Sequence, residues 1–312
     1  MDTFGLDELL NPVKKEDFLT LNWPLKPIFI QANQKKLAAL QQIEQLRDLE
    51  SVIAARQLKV RACLPDYDDE YSSIHVGPED ALKAYRNNMT LVFDSMQKQN
   101  QTISQILQNI RRQLGLVTGG AENNLCHARS IVYATPAGCG TRLHFDANIN
   151  FIIQLQGSKI WRLAPNNSVT HPTERFTAGS FEMSAALEKQ CQAPLIDEMP
   201  DDSLEVDMQP GCVLFVPRGY WHETTTHEDS LSLNFTFSQP SWADVFTKSL
   251  QEHLLQFPEW RALADGLESE DLKTKQKAVV EFEKLFKSLI GQLPQLSGQK
   301  LLSESGLFNF EN

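Results

Sequence analysis

Three side chains in this sequence have the types and spacing to hold a metal ion: His144, Asp146 and His222. His144 and Asp146 stand two residues apart, and alternate side chains of an extended strand share a face, so an imidazole and a carboxylate can converge on one ion. His222, in the run Pro210-Gly-Cys-Val-Leu-Phe-Val-Pro-Arg-Gly-Tyr-Trp-His222, would be the third ligand. Three ligands on one face leave the remaining coordination positions open. Open positions mean chemistry rather than scaffolding.

Two histidines and one carboxylate form the facial triad of non-haem Fe(II) oxygenases. The surroundings suit such a site. From His144 to Gln154 the even positions read His, Asp, Asn, Asn, Ile, Gln, while Ile149, Phe151, Ile153 and Leu155 hold odd positions. That pattern predicts one period-2 strand with the ligands on its polar face. Val213 to Val216 is a short apolar run and Pro217-Arg-Gly219 a turn signal, so Tyr-Trp-His222 should open the next strand. After it Ser232, Asn234 and Thr236 alternate with Leu231, Leu233, Phe235 and Phe237, a second polar face.

These residues resemble the JmjC-type cupin oxygenases, which use Fe(II), O2 and 2-oxoglutarate. The likeness covers roughly Ala128 to Pro240 and is closest to the hydroxylase branch, meaning the ribosomal-protein oxygenases and the hypoxia-factor asparagine hydroxylase. It rests on His-x-Asp, on Gln-x-x-Gly-x-Lys-x-Trp ending in Lys159 and Trp161, and on Pro-Gly-x-x-x-x-x-Pro-Arg-Gly-x-Trp-His, in that order. The resemblance implies that Lys159 pairs with the distal carboxylate of 2-oxoglutarate, that Thr141 donates a hydrogen bond to it, and that Asn234 and Asn150 sit beside the iron-chelating end. Lys159 suits that role physically, because a carboxylate taken into a poorly hydrated barrel needs an opposite charge and hydrogen bonds to meet it. Arg162 is the alternative base. Related halogenases replace the triad carboxylate with a small residue, so Asp146 favours hydroxylation.

At 312 residues with 41% hydrophobic side chains, the chain can fill a sizeable core. It shows no apolar run near the length of a membrane span and no basic-then-apolar leader, so a cytoplasmic protein is expected. Its five cysteines, Cys63, Cys126, Cys139, Cys191 and Cys212, are scattered without a Cys-x-x-Cys pair and should be free thiols. Cys139 is read as a small residue in a Gly-rich loop, with the pocket mouth as the alternative. A net charge of −11 repels nucleic acid and favours a basic or neutral partner. Acidic clusters at Asp66–Glu70 and Asp197–Asp202 read as solvated loops.

Residues 1–120 are expected to wrap the barrel as mixed α/β elements. Helical or strand patterns fall at Glu16–Leu21, Ile28–Ile30, Lys59–Leu64, Pro78–Asn87, Met89–Phe93 and Gln101–Leu114, and Lys36 to Gln57 carries leucines and isoleucines at helical steps. Residues 121–240 should form the catalytic core, with Leu125–Thr135 as the strand that delivers the chain to the site and Tyr133 reaching inward. His75 and His127 have no partner at ligand spacing. Pro165 to Ser203 is long and aperiodic, the composition of a loop that sets specificity. Residues 241–312 turn helical, and the stripe Ala278, Val279, Phe282, Leu285, Phe286 and Leu289 could serve a homodimer or ordinary packing.

The expected architecture is mainly β with flanking α: a double-stranded β-helix, or jelly roll, with an N-terminal wrap and C-terminal helices. The expected activity is Fe(II)- and 2-oxoglutarate-dependent hydroxylation of an unactivated carbon of a protein or peptide side chain, with O2 as oxidant and neither nucleic acid nor membrane as partner. A biosynthetic small-molecule hydroxylase, a JmjC lysine demethylase and an inactive cupin scaffold are the alternatives.

Overall fold

The computed structural model describes residues 4–64, 72–117, 126–180 and 182–305. Backbone contacts divide the chain into two units, Met1–Leu116 with His127–Ser238, and Val117–Cys126 with Gln239–Asn312.

The first unit opens with α1 (Leu6–Leu10), α2 (Lys15–Leu21), β1 (Ile28–Ile30), α3 (Gln34–Gln41) and α4 (Leu49–Ala54). It continues through β2 (Val60–Cys63), β3 (Ser73–Val76), α5 (Pro78–Arg86), β4 (Thr90–Phe93) and α6 (Gln101–Gln113). Then follow β5 (His127–Thr135), β6 (Gly140–Phe145), β7 (Ile149–Gln156), β8 (Lys159–Ala164), β9 (Phe176–Thr177) and α7 (Ala185–Glu188). The unit ends with β10 (Leu204–Met208), β11 (Val213–Val216), β12 (Trp221–Thr225) and β13 (Ser230–Ser238).

Two antiparallel sheets result. The major sheet runs β1-β11-β7-β13-β5-β4-β2-β3 and the minor sheet β10-β8-β12-β6-β9. Consecutive strands from β5 to β8 and from β10 to β13 alternate one by one between the sheets, which is the double-stranded β-helix expected of the sequence. Strands β2, β3 and β4 of the wrap extend the major sheet beyond β5, and β1 covers the edge of β11.

The core lies on the outer face of the major sheet. Phe151, Ile153, Phe215, Leu233, Phe235 and Phe237 project there and meet Phe18, Leu40, Ile103, Ile106 and Ile110 from the wrap, all buried. Helix α6 shows why these elements form. Asn100 caps it by accepting from the Ile103 amide, and its apolar residues return at helical spacing and are buried, while Arg111 and Arg112 fall in the last turn, where they suit the helix dipole. The minor sheet has a smaller cluster on its outer face, including Leu143, Phe145, Ala164 and Trp221, while a third cluster with Ile152, Leu163, Val206 and Leu214 packs between the two sheets.

Two expectations need correction. The leucine steps from Lys36 to Gln57 do not make one helix; α3 ends at Gln41, a single 3-10 turn covers Glu44–Leu46, and Asp48 caps a new helix at α4 by accepting from the Ser51 amide. A side-chain oxygen that satisfies a helix-start amide favours a fresh start over propagation. Nor is His144 to Gln154 one strand: β6 and β7 lie in different sheets, and the chain bends at Ala147 and Asn148. Alternation persists across the bend because both strands turn polar residues towards one interior.

In the second unit, α8 (Trp242–Leu254), α9 (Leu272–Gln292) and α10 (Gly298–Glu304) account for most of the described residues. Ser241 and Asp244 form a capping box at α8, and His253 is held by Glu304 of α10 at 2.9 Å. Along α9, Phe282 and Phe286 stack at 6.3 Å and remain over 40% exposed. No described helix is long and apolar enough to cross a membrane. None of the five cysteines is in a disulfide, as expected. The acidic cluster at Asp66–Glu70 lies outside the described residues.

Candidate metal centre

His144 projects from β6 and His222 from β12, neighbouring strands paired so that the two histidines are directly opposite. Their rings stand 4.1 Å apart. Asp146 lies just past the end of β6, at the bend that carries the chain out of the minor sheet, and the Gly219 amide ties it by donating to the Asp146 carbonyl at 2.8 Å. The Pro-Arg-Gly turn thus braces one ligand while its next three residues deliver another. One ligand atom from each of the three side chains lies within 4.8 Å of the others, the one such cluster among the described residues.

The donor chemistry fits a divalent cation. His144 Nδ1 lies 2.7 Å from the Arg142 carbonyl and His222 Nδ1 lies 2.9 Å from the Tyr220 carbonyl. A carbonyl can only accept, so each Nδ1 carries the proton and each Nε2 keeps its lone pair for a metal. Burial, with His144 beside it, pushes the imidazolium of His222 well below the usual range, so the ring is neutral at pH 7. His222 Nε2 lies 3.8 Å from Asp146 Oδ2, a separation that one ion bound to both at about 2.1 Å can bridge. Trp161 stacks on the His222 ring at 5.7 Å, and Trp221 packs edge-on against Phe145 behind the site. Asn150 donates to Asp146 Oδ2 at 3.3 Å and accepts from Thr236 at 2.8 Å.

The triad opens on a cavity of about 1070 Å³ between the sheets. All the residues singled out for cofactor contact line it: Lys159, Thr141, Asn234, Asn150 and Tyr133. Lys159 is the first residue of β8, placed by a turn in which Gly157 adopts φ +59 and a Cβ would run into the Asp229 carbonyl oxygen. Its ammonium is buried and donates to Thr135 Oγ1 at 2.9 Å. Burial lowers its pKa to about 8, partly offset by Cys139. The Asn234 amide oxygen is buried with no hydrogen-bond partner, an orphan aimed at the same space. Burial raises the Tyr133 hydroxyl above its usual range, so it stays a neutral donor.

Other residues fall elsewhere. Arg162 alternates with Lys159 and Trp161 along β8 and pairs with Glu223 at 2.9 Å, so it is not an alternative base for the cavity. His75 and His127 are exposed. Cys139 lines the cavity, the alternative given for it. Thr135 went unnoticed in the sequence, where it is one hydroxyl at the end of an apolar run; its register opposite Ser230 on β13 puts it under Lys159. Arg175 also went unnoticed. It lies in the aperiodic stretch after β8, and its Nε comes to 3.7 Å from Asp146. That stretch contributes Thr173, Glu174, Arg175 and Thr177 to the wall, held in place as Arg218 donates to the Pro172 carbonyl at 2.7 Å.

Residues 105–245 match the JmjC domain family. YxbC, an uncharacterized protein of Bacillus subtilis, is 28% identical over 95% of this chain and 89% of its own. Ribosomal oxygenase 2 of Rattus norvegicus is 27% identical over 96% of this chain and 62% of its own, and ribosomal oxygenase 1 of Danio rerio 25% over 77% and 42%. The chain thus spans about half the length of those two oxygenases. The crystal structure of E. coli ycfD superposes with a TM-score of 0.51 at 15% identity, covering 90% of this chain and 68% of that one, which supports the fold. Residues 105–245 thus match a JmjC domain over a double-stranded β-helix that presents a His-Asp-His cluster, and in this the chain is similar to the JmjC-type cupin oxygenases, which use Fe(II) and 2-oxoglutarate.

Proposed function

We propose that this protein hydroxylates an unactivated carbon of a protein or peptide side chain. In this reading His144, Asp146 and His222 hold Fe(II), and the distal carboxylate of 2-oxoglutarate docks on Lys159. Thr135 and Thr141 line that end of the cavity, and Asn234 and Asn150 flank the chelating end. The observation that carries it is the buried Lys159 ammonium facing the same cavity as the triad. A buried lysine partnered by one hydroxyl has a large incentive to take up a carboxylate.

The bound metal and co-substrate would supply the oxidising chemistry, while the chain supplies placement, charge compensation and dryness. His144 and His222 present unprotonated Nε2 atoms because backbone carbonyls take their Nδ1 protons. Asn150 holds the Asp146 carboxylate towards them. The apolar backing of Phe145 and Trp221 keeps water from the rear of the site. Resemblance to the ribosomal oxygenases supports a protein substrate over a metabolite.

The test is spectroscopic and then analytical. Under anaerobic conditions Fe(II) with 2-oxoglutarate should give a weak visible charge-transfer band, absent in His144→Ala and His222→Ala. Candidate substrates should then gain the mass of one oxygen atom, with succinate released in step. A wild-type protein with neither the band nor 2-oxoglutarate binding would favour an inactive scaffold.

A further inference from the structure

The two carboxylate oxygens of Asp146 have different neighbours. Oδ2 lies 3.8 Å from His222 Nε2 and accepts from Asn150 at 3.3 Å, so it faces the histidine pair. Oδ1 lies 3.7 Å from Nε of Arg175. The carboxylate is thus held with the metal position beside one oxygen and a guanidinium beside the other.

That arrangement is built into the sheet. Strand β9 runs antiparallel to β6 with Thr177 opposite His144 and Phe176 opposite Phe145, so one further step of the register sets Arg175 opposite Asp146. Residues directly opposite one another share a face. Phe145 and Phe176 meet at 6.0 Å behind the site, while His144, Asp146, Arg175 and Thr177 line the cavity. The Pro-Arg-Gly turn fastens both partners. The Gly219 amide donates to the Asp146 carbonyl at 2.8 Å, and Arg218 donates to the Pro172 carbonyl at 2.7 Å, three residues before Arg175. A Cβ on Gly219 would run into the Pro172 ring, so the turn and the segment that bears Arg175 are in contact. The charge of Arg175 also acts on His222.

Coordination chemistry gives this contact a use. A carboxylate can bind an ion through one oxygen or through both. An octahedral ion with three protein donors keeps three positions, enough for the two chelating atoms of 2-oxoglutarate and for the oxidant. A second oxygen from Asp146 would take one of them. A guanidinium attracts the oxygen beside it and leaves the other for the ion. Asn150 on Oδ2 is a neutral donor and uses only one of that oxygen's lone pairs.

We infer that Arg175 is a positioning residue: it engages Asp146 Oδ1, so that the carboxylate binds the metal through Oδ2 alone and one coordination position stays open. This rests on the metal-binding reading of the triad and is independent of the substrate.

The test uses the full chain loaded with Mn(II), whose directly bound water is counted by water-proton relaxation, with and without 2-oxoglutarate and in the absence of oxygen. Arg175→Gln should hold one water fewer than wild type in both states. Its Mn(II) affinity should stay level or rise, because the carboxylate then gives both oxygens and its undivided charge to the ion. With Fe(II), 2-oxoglutarate should bind as in wild type while succinate release falls about ten- to a hundredfold, the usual cost of losing a group that orients a ligand. Arg175→Lys should keep most of the wild-type water count and turnover. If Arg175→Gln does not fold, Arg175→Met, which keeps an aliphatic stem, is read in its place. An unchanged water count, or a fall in Mn(II) affinity in a folded variant, would overturn the inference by making Arg175 an ordinary support of the ligand. Wild-type protein that holds no Mn(II) would instead remove the metal centre, and this inference with it.

Discussion

The two sheets of the barrel differ in what lies behind them. The major sheet has eight strands, and its outer face is sealed by the N-terminal helices around Phe18, Phe151 and Phe215, whose rings meet at 4.9 to 5.9 Å. The minor sheet has five strands, a thinner apolar backing and both histidines of the metal cluster. Stability should therefore reside mostly on one wall and metal chemistry on the other. Lys159, on the minor sheet but held by Thr135 of the major sheet, is where the two meet.

The largest effect should come from the ligands. Asp146→Ala or His222→Ala should cut divalent-metal affinity by more than about a hundredfold, beyond what loss of a supporting contact costs. The melting temperature of the metal-free protein should barely change, since the fold rests on apolar burial. Competition titration with a chelator and a thermal melt would check both; tight metal binding in a folded Asp146→Ala would remove that residue from the centre.

The reverse experiment is on the major sheet. Phe151→Ala should cost about 3–5 kcal/mol of stability, the usual range for emptying a fully buried aromatic site. Its folded fraction should bind metal as the wild type does. A variant that lost metal affinity at full stability would erase the distinction between the walls.

At the junction, Lys159→Ala should weaken 2-oxoglutarate binding by about 3 kcal/mol, on the scale of stranding one partner of a buried ion pair, and leave metal binding intact. In the absence of 2-oxoglutarate the same variant should melt no lower than wild type, because a costly buried charge has gone. The pH dependence has a definite sign. The pKa of Lys159 is lowered from 10.5 to about 8, so between these values the unfolded chain holds the proton that the folded chain has released. Stability of the metal-free protein should therefore gain a rising contribution from pH 8 towards 10.5. Lys36, also lowered by burial to about 8, adds a second contribution over the same window. Affinity for 2-oxoglutarate should fall over that window, as Lys159 loses its charge. Denaturant melts of wild type and Lys159→Ala across that range would separate the two lysines, and an affinity flat across it would show that Lys159 does not bind the dianion. The smallest effect belongs to Thr135→Val, about 1 kcal/mol in 2-oxoglutarate binding for one lost hydroxyl.

Much of this was legible in sequence because local rules govern it. Period-2 alternation marked the polar face of β13, the Pro-Arg-Gly turn marked the start of β12, and Gly157 marked the entry to Lys159. Where two elements share a pattern the reading blurred. The alternation from His144 to Gln154 looked like one strand because β6 and β7 both face the same interior, and nothing local says that the chain changes sheets between them. The steps from Lys36 to Gln57 likewise concealed a restart at Asp48.

Net charge shows the other limit. A count of −11 averages over a surface, while a substrate meets the side chains of one cavity. Arg61, Arg129 and Arg175 come from two strands and an aperiodic stretch far apart in the chain, and no spacing rule links them.

The sequence by itself determined the ligand types, the order of the motifs and the barrel, since side-chain periodicity, turn chemistry and donor atoms are properties of a few neighbouring residues. Only the tertiary structure decided that Thr135 holds Lys159, that Arg162 faces away, and that Arg61, Arg129 and Arg175 come to line one cavity. Those facts depend on strand register and on which sheet a segment joins, and register is set by the packing of the whole barrel.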